Sequence, residues 1–118
     1  DDFYQMHLLF ERIYNDVSEA IDPFAENLRK LGSKAPFGLV QLNNNSDLEI
    51  NDSLELSASQ MFAELIKTNV HIIAKLKTAA EIASKAREES IANFLADRLD
   101  KHEFWNWQLT STVKTTIM

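Results

Sequence analysis

Four side chains in the first quarter of the sequence have the types and spacing for metal chemistry: His7, Glu11, Asp22 and Glu26. On a helix turning ~100° per residue they all project from one arc about 100° wide. His7 with Glu11, and Asp22 with Glu26, are i, i+4 neighbours, so each pair can converge on one ion. The two pairs cannot share an ion, because His7 and Asp22 are separated by ~22 Å of helix rise, against metal–ligand bonds of about 2 Å. A second copy of the helix, packed antiparallel about a two-fold near Tyr14 to Ser18, removes the conflict. Asp22 and Glu26 of one chain would then meet His7 and Glu11 of the other, forming two identical composite sites in a C2 dimer. One imidazole and three carboxylates form a hard, oxygen-rich set suited to Fe(II) or manganese, with zinc as another candidate occupant.

Each residue also has a purely structural reading. Asp22 before Pro23 is a good N-cap for a helix restarting after a kink, since proline suits the first helical position. Glu26 with Lys30, and Glu11 with Asn15, could be solvated i, i+4 neighbours. His7 beside apolar residues could simply be a packed histidine.

Three long helical segments must position these groups. The first is expected from about Phe3 to Leu31, where Phe3, Met6, Phe10, Ile13, Val17, Ile21, Phe24 and Leu28 recur every three to four residues. Gly32 follows as a natural C′ stop. The second begins near Ser57, where Ser57-Ala58-Ser59-Gln60 forms a capping box, and runs to about Lys85 on Met61, Leu65, Ile72, Leu76, Ala79 and Ala83. The third spans about Glu88 to Thr112 on Ile91, Leu95, Leu99, Trp105, Leu109 and Val113. A brief break at Ala86-Arg87 makes the third antiparallel to the second. The link from Ser33 to Leu56 is long for a helical domain, but two parallel helices of ~43 Å need a crossover of that reach. A short helix is expected within it at Leu39 to Asn43. One long crossover plus short turns is a ferritin-like bundle topology, here with three main helices.

At 118 residues the chain suits a single domain with one core. Apolar residues at 45% and charged residues at 25% are ordinary globular values. The net charge of −6 opposes a broad electrostatic grip on nucleic acid and favours cation attraction. The absence of cysteine excludes disulfides and thiol chemistry and fits a reducing, cytoplasmic compartment. No apolar run approaches the ~20 residues of a membrane helix. The chain opens Asp1-Asp2-Phe3 without methionine, so it is expected to be a processed product or a fragment.

The whole chain then shows a family pattern. DDFYQMHLLFERIYNDVSEAIDPFAENLRKLG resembles the second helix of the Dps family, miniferritins that protect DNA in starved cells. The pattern is Phe-x-x-x-His, a carboxylate four on, Asp-x-x-x-Glu about fifteen on, and a closing Arg-x-Leu-Gly. Here these are Phe3, His7, Glu11, Asp22, Glu26 and Arg29-Lys30-Leu31-Gly32. FLADRLDKHEFWNWQL, Phe94 to Leu109, is similar to the family's closing helix, and LELSASQMFAEL to its entry into the preceding helix. The resemblance implies an all-α four-helix bundle, usually a hollow dodecamer, with a ferroxidase centre shared across a two-fold. There Fe(II) is oxidised, often by hydrogen peroxide, and ferric iron is stored in the shell. His7 and Glu11 of one chain, with Asp22 and Glu26 of its partner, would be the ligands. The sequence departs from the pattern in four ways. It lacks the family's first helix with a further histidine, which implies an N-terminal truncation. It carries Glu11 where Asp is common. It places Pro23 between the ligands, and it lacks a lysine-rich tail for DNA. The competing reading is a helical oligomerisation module whose acidic face sets register without iron oxidation.

Other features separate by context. Glu88 and Glu89 could line an iron pore or simply favour a helix N-terminus, and Asn93 near them weakens the pore. His102, between Leu99 and Trp105, reads as a satisfied core histidine. His71 reads as solvent-facing, and Trp105 and Trp107 as packing or interface residues. There is no Glu-x-x-His di-iron motif, zincin helix, P-loop, GxGxxG or GxSxG.

Overall fold

The computed structural model describes residues 2–36, 38–49, 51 and 53–114, and the side chains of Asp2 and Phe3 lie outside that description, as does Phe3's place in the apolar ladder. Four helices follow one another: α1 (Asp2–Lys30), α2 (Leu39–Asn45), α3 (Ala58–Lys85) and α4 (Glu89–Thr112). No strand occurs among the described residues, so the all-α expectation holds. The chain divides into two compact units, Asp1–Asp47 with α1 and α2, and Leu48–Met118 with α3 and α4.

In the first unit, α1 is a single helix of 29 residues. It passes Pro23 without ending, so Asp22 is not the N-cap of a second segment. Proline removes one helical amide, whereas ending and renucleating would forfeit several bonds and pay the nucleation cost again. The real stop is a Schellman motif. Ser33 N–H donates to Leu28 O at 3.0 Å and Gly32 N–H to Arg29 O at 2.9 Å. Gly32 sits at φ +84°, where glycine carries no Cβ penalty. α2 is longer by two residues than expected and buries none of its side chains.

The apolar ladder of α1 divides into two stripes. Met6, Leu9, Ile13 and Ala20 are buried and share an arc at about 200–260° from His7. Tyr14, Val17, Ile21 and Leu28 are exposed, on an arc at about 280–340°. Periodicity identifies apolar positions on a helix but not which of them find a cover.

The second unit is a helical hairpin. The capping box forms as expected, with Gln60 N–H donating to Ser57 Oγ at 3.2 Å and Ser57 N–H to Gln60 Oε1 at 2.7 Å. Upstream, Asn51 Nδ2 donates to Glu64 Oε1 at 3.3 Å, and Lys67 Nζ lies 3.3 Å from Glu49 Oε2, tying the loop to α3. A second Schellman motif ends α3, with Glu88 N–H donating to Ala83 O and Arg87 N–H to Ser84 O. Arg87 occupies the left-handed position at φ 58°. After this tight reversal α4 runs back along α3. Phe62 and Leu109, equally far from the turn, are both fully buried; burial of such side chains stabilises by ~1.5–3 kcal/mol each.

Candidate metal centre

The polar arc of α1 carries all four candidate ligands in the open. His7 and Glu11 stand one turn apart, with Nε2 to Oε2 at 3.7 Å and their side chains 63% and 58% exposed. That separation leaves room for an ion to enter between the two groups. Asp22 and Glu26 are exposed one turn apart near the other end of the helix. Asn27 Nδ2 donates to the Pro23 carbonyl at 2.8 Å, and Lys30 Nζ approaches Asn27 Oδ1 at 3.4 Å. Asn27 therefore engages both Pro23 and Lys30 beside the Asp22–Glu26 pair.

Within one chain the two pairs remain two-donor half-sites. Among the described residues no three His, Cys, Asp or Glu side chains come together to hold a metal. The rigid rise of α1 accounts for this, since ~22 Å separates the first members of the pairs. The three stripes are informative together. The exposed apolar arc lies between the buried arc and the ligand arc, so whatever covers Tyr14, Val17 and Ile21 approaches alongside the ligands.

The described residues contain no helix long and apolar enough to cross a membrane. A ferritin-like domain model matches residues 1–117 of the chain. The chain belongs to the ferritin-like family. Its relatives place it in the Dps branch. The chain is 27% identical to a DNA protection during starvation protein of Brevibacillus brevis, over 79% of this chain and 62% of that protein. It is 26% identical to the protein of the same name from Porphyromonas gingivalis, over 93% of this chain and 69% of that one. The backbone superimposes on the X-ray structure of Dps from Thermosynechococcus elongatus with a TM-score of 0.88 at 26% identity, over 94% of this chain and 70% of that one. The chain therefore spans roughly two thirds of its relatives, and the fold is the ferritin-like helical bundle.

The remaining sequence candidates resolve one by one in this Dps-type chain. His102 is buried, as expected of a core histidine. Its Nδ1 lies 2.8 Å from Asn69 Oδ1, its Nε2 lies 2.9 Å from Arg98 Nη2, and its carbonyl accepts from Asn69 Nδ2 at 2.8 Å. Sequence reading missed Asn69 and Arg98. The available signal was their polarity at positions where each helix buries a residue. His71 is half-buried rather than solvent-facing. Trp105 is buried, while Trp107 is exposed with Phe104 against it, ring centroids 5.8 Å apart. Glu88 is the N-cap residue of α4 without a side-chain cap bond, and Glu89 lies in its first turn, where the helix dipole favours acids.

Proposed function

We propose that this chain is an iron-handling miniferritin whose oxidation centre forms between two copies. The observation that carries the reading is the exposed ligand arc beside an exposed apolar stripe on α1. A second α1, antiparallel about a two-fold near Tyr14 to Ser18, would cover Tyr14, Val17 and Ile21 and remove apolar surface from water. It would also bring Asp22 and Glu26 of each chain to His7 and Glu11 of the other. Fe(II) is the substrate. Two Fe(II) each give one electron to hydrogen peroxide, which takes two protons and leaves as two waters. The ferric product is then stored within a closed homo-oligomer, a dodecamer by analogy with the Dps family. Removing Fe(II) and peroxide together suppresses hydroxyl-radical formation, which protects DNA without contact. Direct DNA binding has no support in a chain of net charge −6. Iron is favoured by the donor set, with manganese and zinc as competitors for the same ligands.

The test is anaerobic Fe(II) titration, then peroxide, following ferric absorbance. Wild type should oxidise iron saturably, and Asp22→Ala and Glu26→Ala should lose it. Mixing His7→Ala chains with Asp22→Ala chains, each inactive alone, should recover roughly a quarter of the wild-type sites, since each mixed dimer holds one intact composite site of two. Oligomers that form normally but show no saturable iron oxidation would favour the assembly-module reading, for which the exposed stripe is also sufficient.

A further inference from the structure

Glu26 and Lys30 stand one turn apart on α1, acid before base, the order in which helical ion pairs are strongest. Glu81 and Lys85 have the same relation on α3, and there the charges meet in the open, Nζ to Oε1 at 3.2 Å. Glu26 and Lys30 do not meet. Lys30 Nζ instead lies 3.4 Å from Asn27 Oδ1, and among the described residues Glu26 has neither a hydrogen bond nor an ion pair. The two helices differ three positions before each lysine. There α3 has Ile82, which offers no side-chain acceptor, and α1 has Asn27.

Asn27 is itself anchored. Its Nδ2 donates to the Pro23 carbonyl at 2.8 Å. A carbonyl only accepts and an ammonium only donates, so one orientation of the amide satisfies both, with Oδ1 towards Lys30. The positions three and four residues from Glu26 are Asp22, Pro23, Arg29 and Lys30. Arg29, the other cation among them, donates through Nη1 to Ser33 O at 3.0 Å, at the helix end. Both basic side chains of α1 that could close on Glu26 are thus held elsewhere, and its carboxylate stays open one turn from Asp22.

We propose that Asn27 is a positioning residue for the Asp22–Glu26 half-site, holding the Lys30 ammonium off the carboxylate that is to meet a divalent cation. The proposal rests on the miniferritin reading, in which Glu26 is a ligand. Without Asn27, Lys30 would pair with Glu26 as Lys85 does with Glu81. That pair would have to break before the cation could bind, which weakens binding by about twofold.

Three full chains test this: wild type, Asn27→Ala, and Asn27→Ala with Lys30→Met. Alanine is the best helix former, so the first substitution keeps α1 helical. In the metal-free chain, the Glu26 carboxyl carbon-13 resonance should shift in Asn27→Ala, as the ammonium arrives, and return in the double variant. In anaerobic calorimetry with Fe(II) alone, Asn27→Ala should bind about twofold more weakly, with the double variant back at wild-type affinity or tighter. An unmoved carboxyl resonance would overturn the proposal. So would a loss of affinity that the double variant keeps, since Asn27 would then act through the helix and not through Lys30. Wild type that binds no Fe(II) would overturn the miniferritin reading, and the cation role of Asn27 with it, even where the resonance shifts. Wild type that binds, with Asn27→Ala unchanged, would overturn this proposal alone.

Discussion

His7 and His102 are the same side chain put to opposite uses. His7 stands on α1 with its ring largely in solvent and one carboxylate 3.7 Å away. His102 stands inside the hairpin with both ring nitrogens at hydrogen-bond distance of a partner. Both histidines stand on continuous helices, so the contrast comes from what surrounds each ring. An exposed imidazole keeps its lone pair available for a ligand at little cost to folding. A buried one must have every polar atom met, and it then has nothing left to offer a metal. Donor capacity and burial oppose each other here, and the four candidate ligands lie on the face of α1 turned away from its buried residues.

The contrast can be broken from either side. The largest effect belongs to His7→Ala. Iron oxidation should fall by more than the ~10- to 100-fold typical of losing an outer-shell partner, while stability stays within ~0.5 kcal/mol of wild type. Chemical denaturation run beside the iron assay checks both halves. The reverse is expected of His102→Leu, which removes the ring that Arg98 Nη2 and Asn69 Oδ1 meet inside the hairpin and should cost ~2 kcal/mol or more. Denaturation midpoints measure that loss, and stability comparable to wild type would erase the distinction.

Smaller effects sharpen the comparison of the two units at their helix ends, since the same Schellman geometry closes α1 with Gly32 and α3 with Arg87. Gly32→Ala should destabilise by ~1–2 kcal/mol, because a Cβ at positive φ is strained even with open space around it. Arg87→Gly should stabilise by up to ~1 kcal/mol for the converse reason. Ser57→Ala, which removes the cap of α3, should cost ~1 kcal/mol. Thermal melts of the three variants rank these effects.

Local features were legible in the residues themselves. Ser57 and Gln60 are three positions apart, and Gly32 follows the last apolar repeat, so both helix ends depend on contacts within one turn. The arc shared by His7, Glu11, Asp22 and Glu26 is likewise a property of the helical period. Pro23 left two readings open, one continuous helix or a restart capped by Asp22, because a sequence shows the missing amide but not the cooperative cost of breaking a long helix. Arg87 carries no sign of its left-handed backbone, since many residue types can follow a helix.

By itself the sequence determined helix type, length and ends, the alignment of the four candidate ligands, and the all-α class. Each of these follows from bonds and spacing within a few residues. Tertiary structure decided which apolar residues of α1 are buried and which remain exposed beside the ligand arc. It also joined Asn69 to His102 across 33 residues, side chain to ring and side chain to backbone. Those outcomes depend on which surfaces meet, and hydrophobic burial has no direction of its own: the period marks an apolar stripe, but only packing selects its cover.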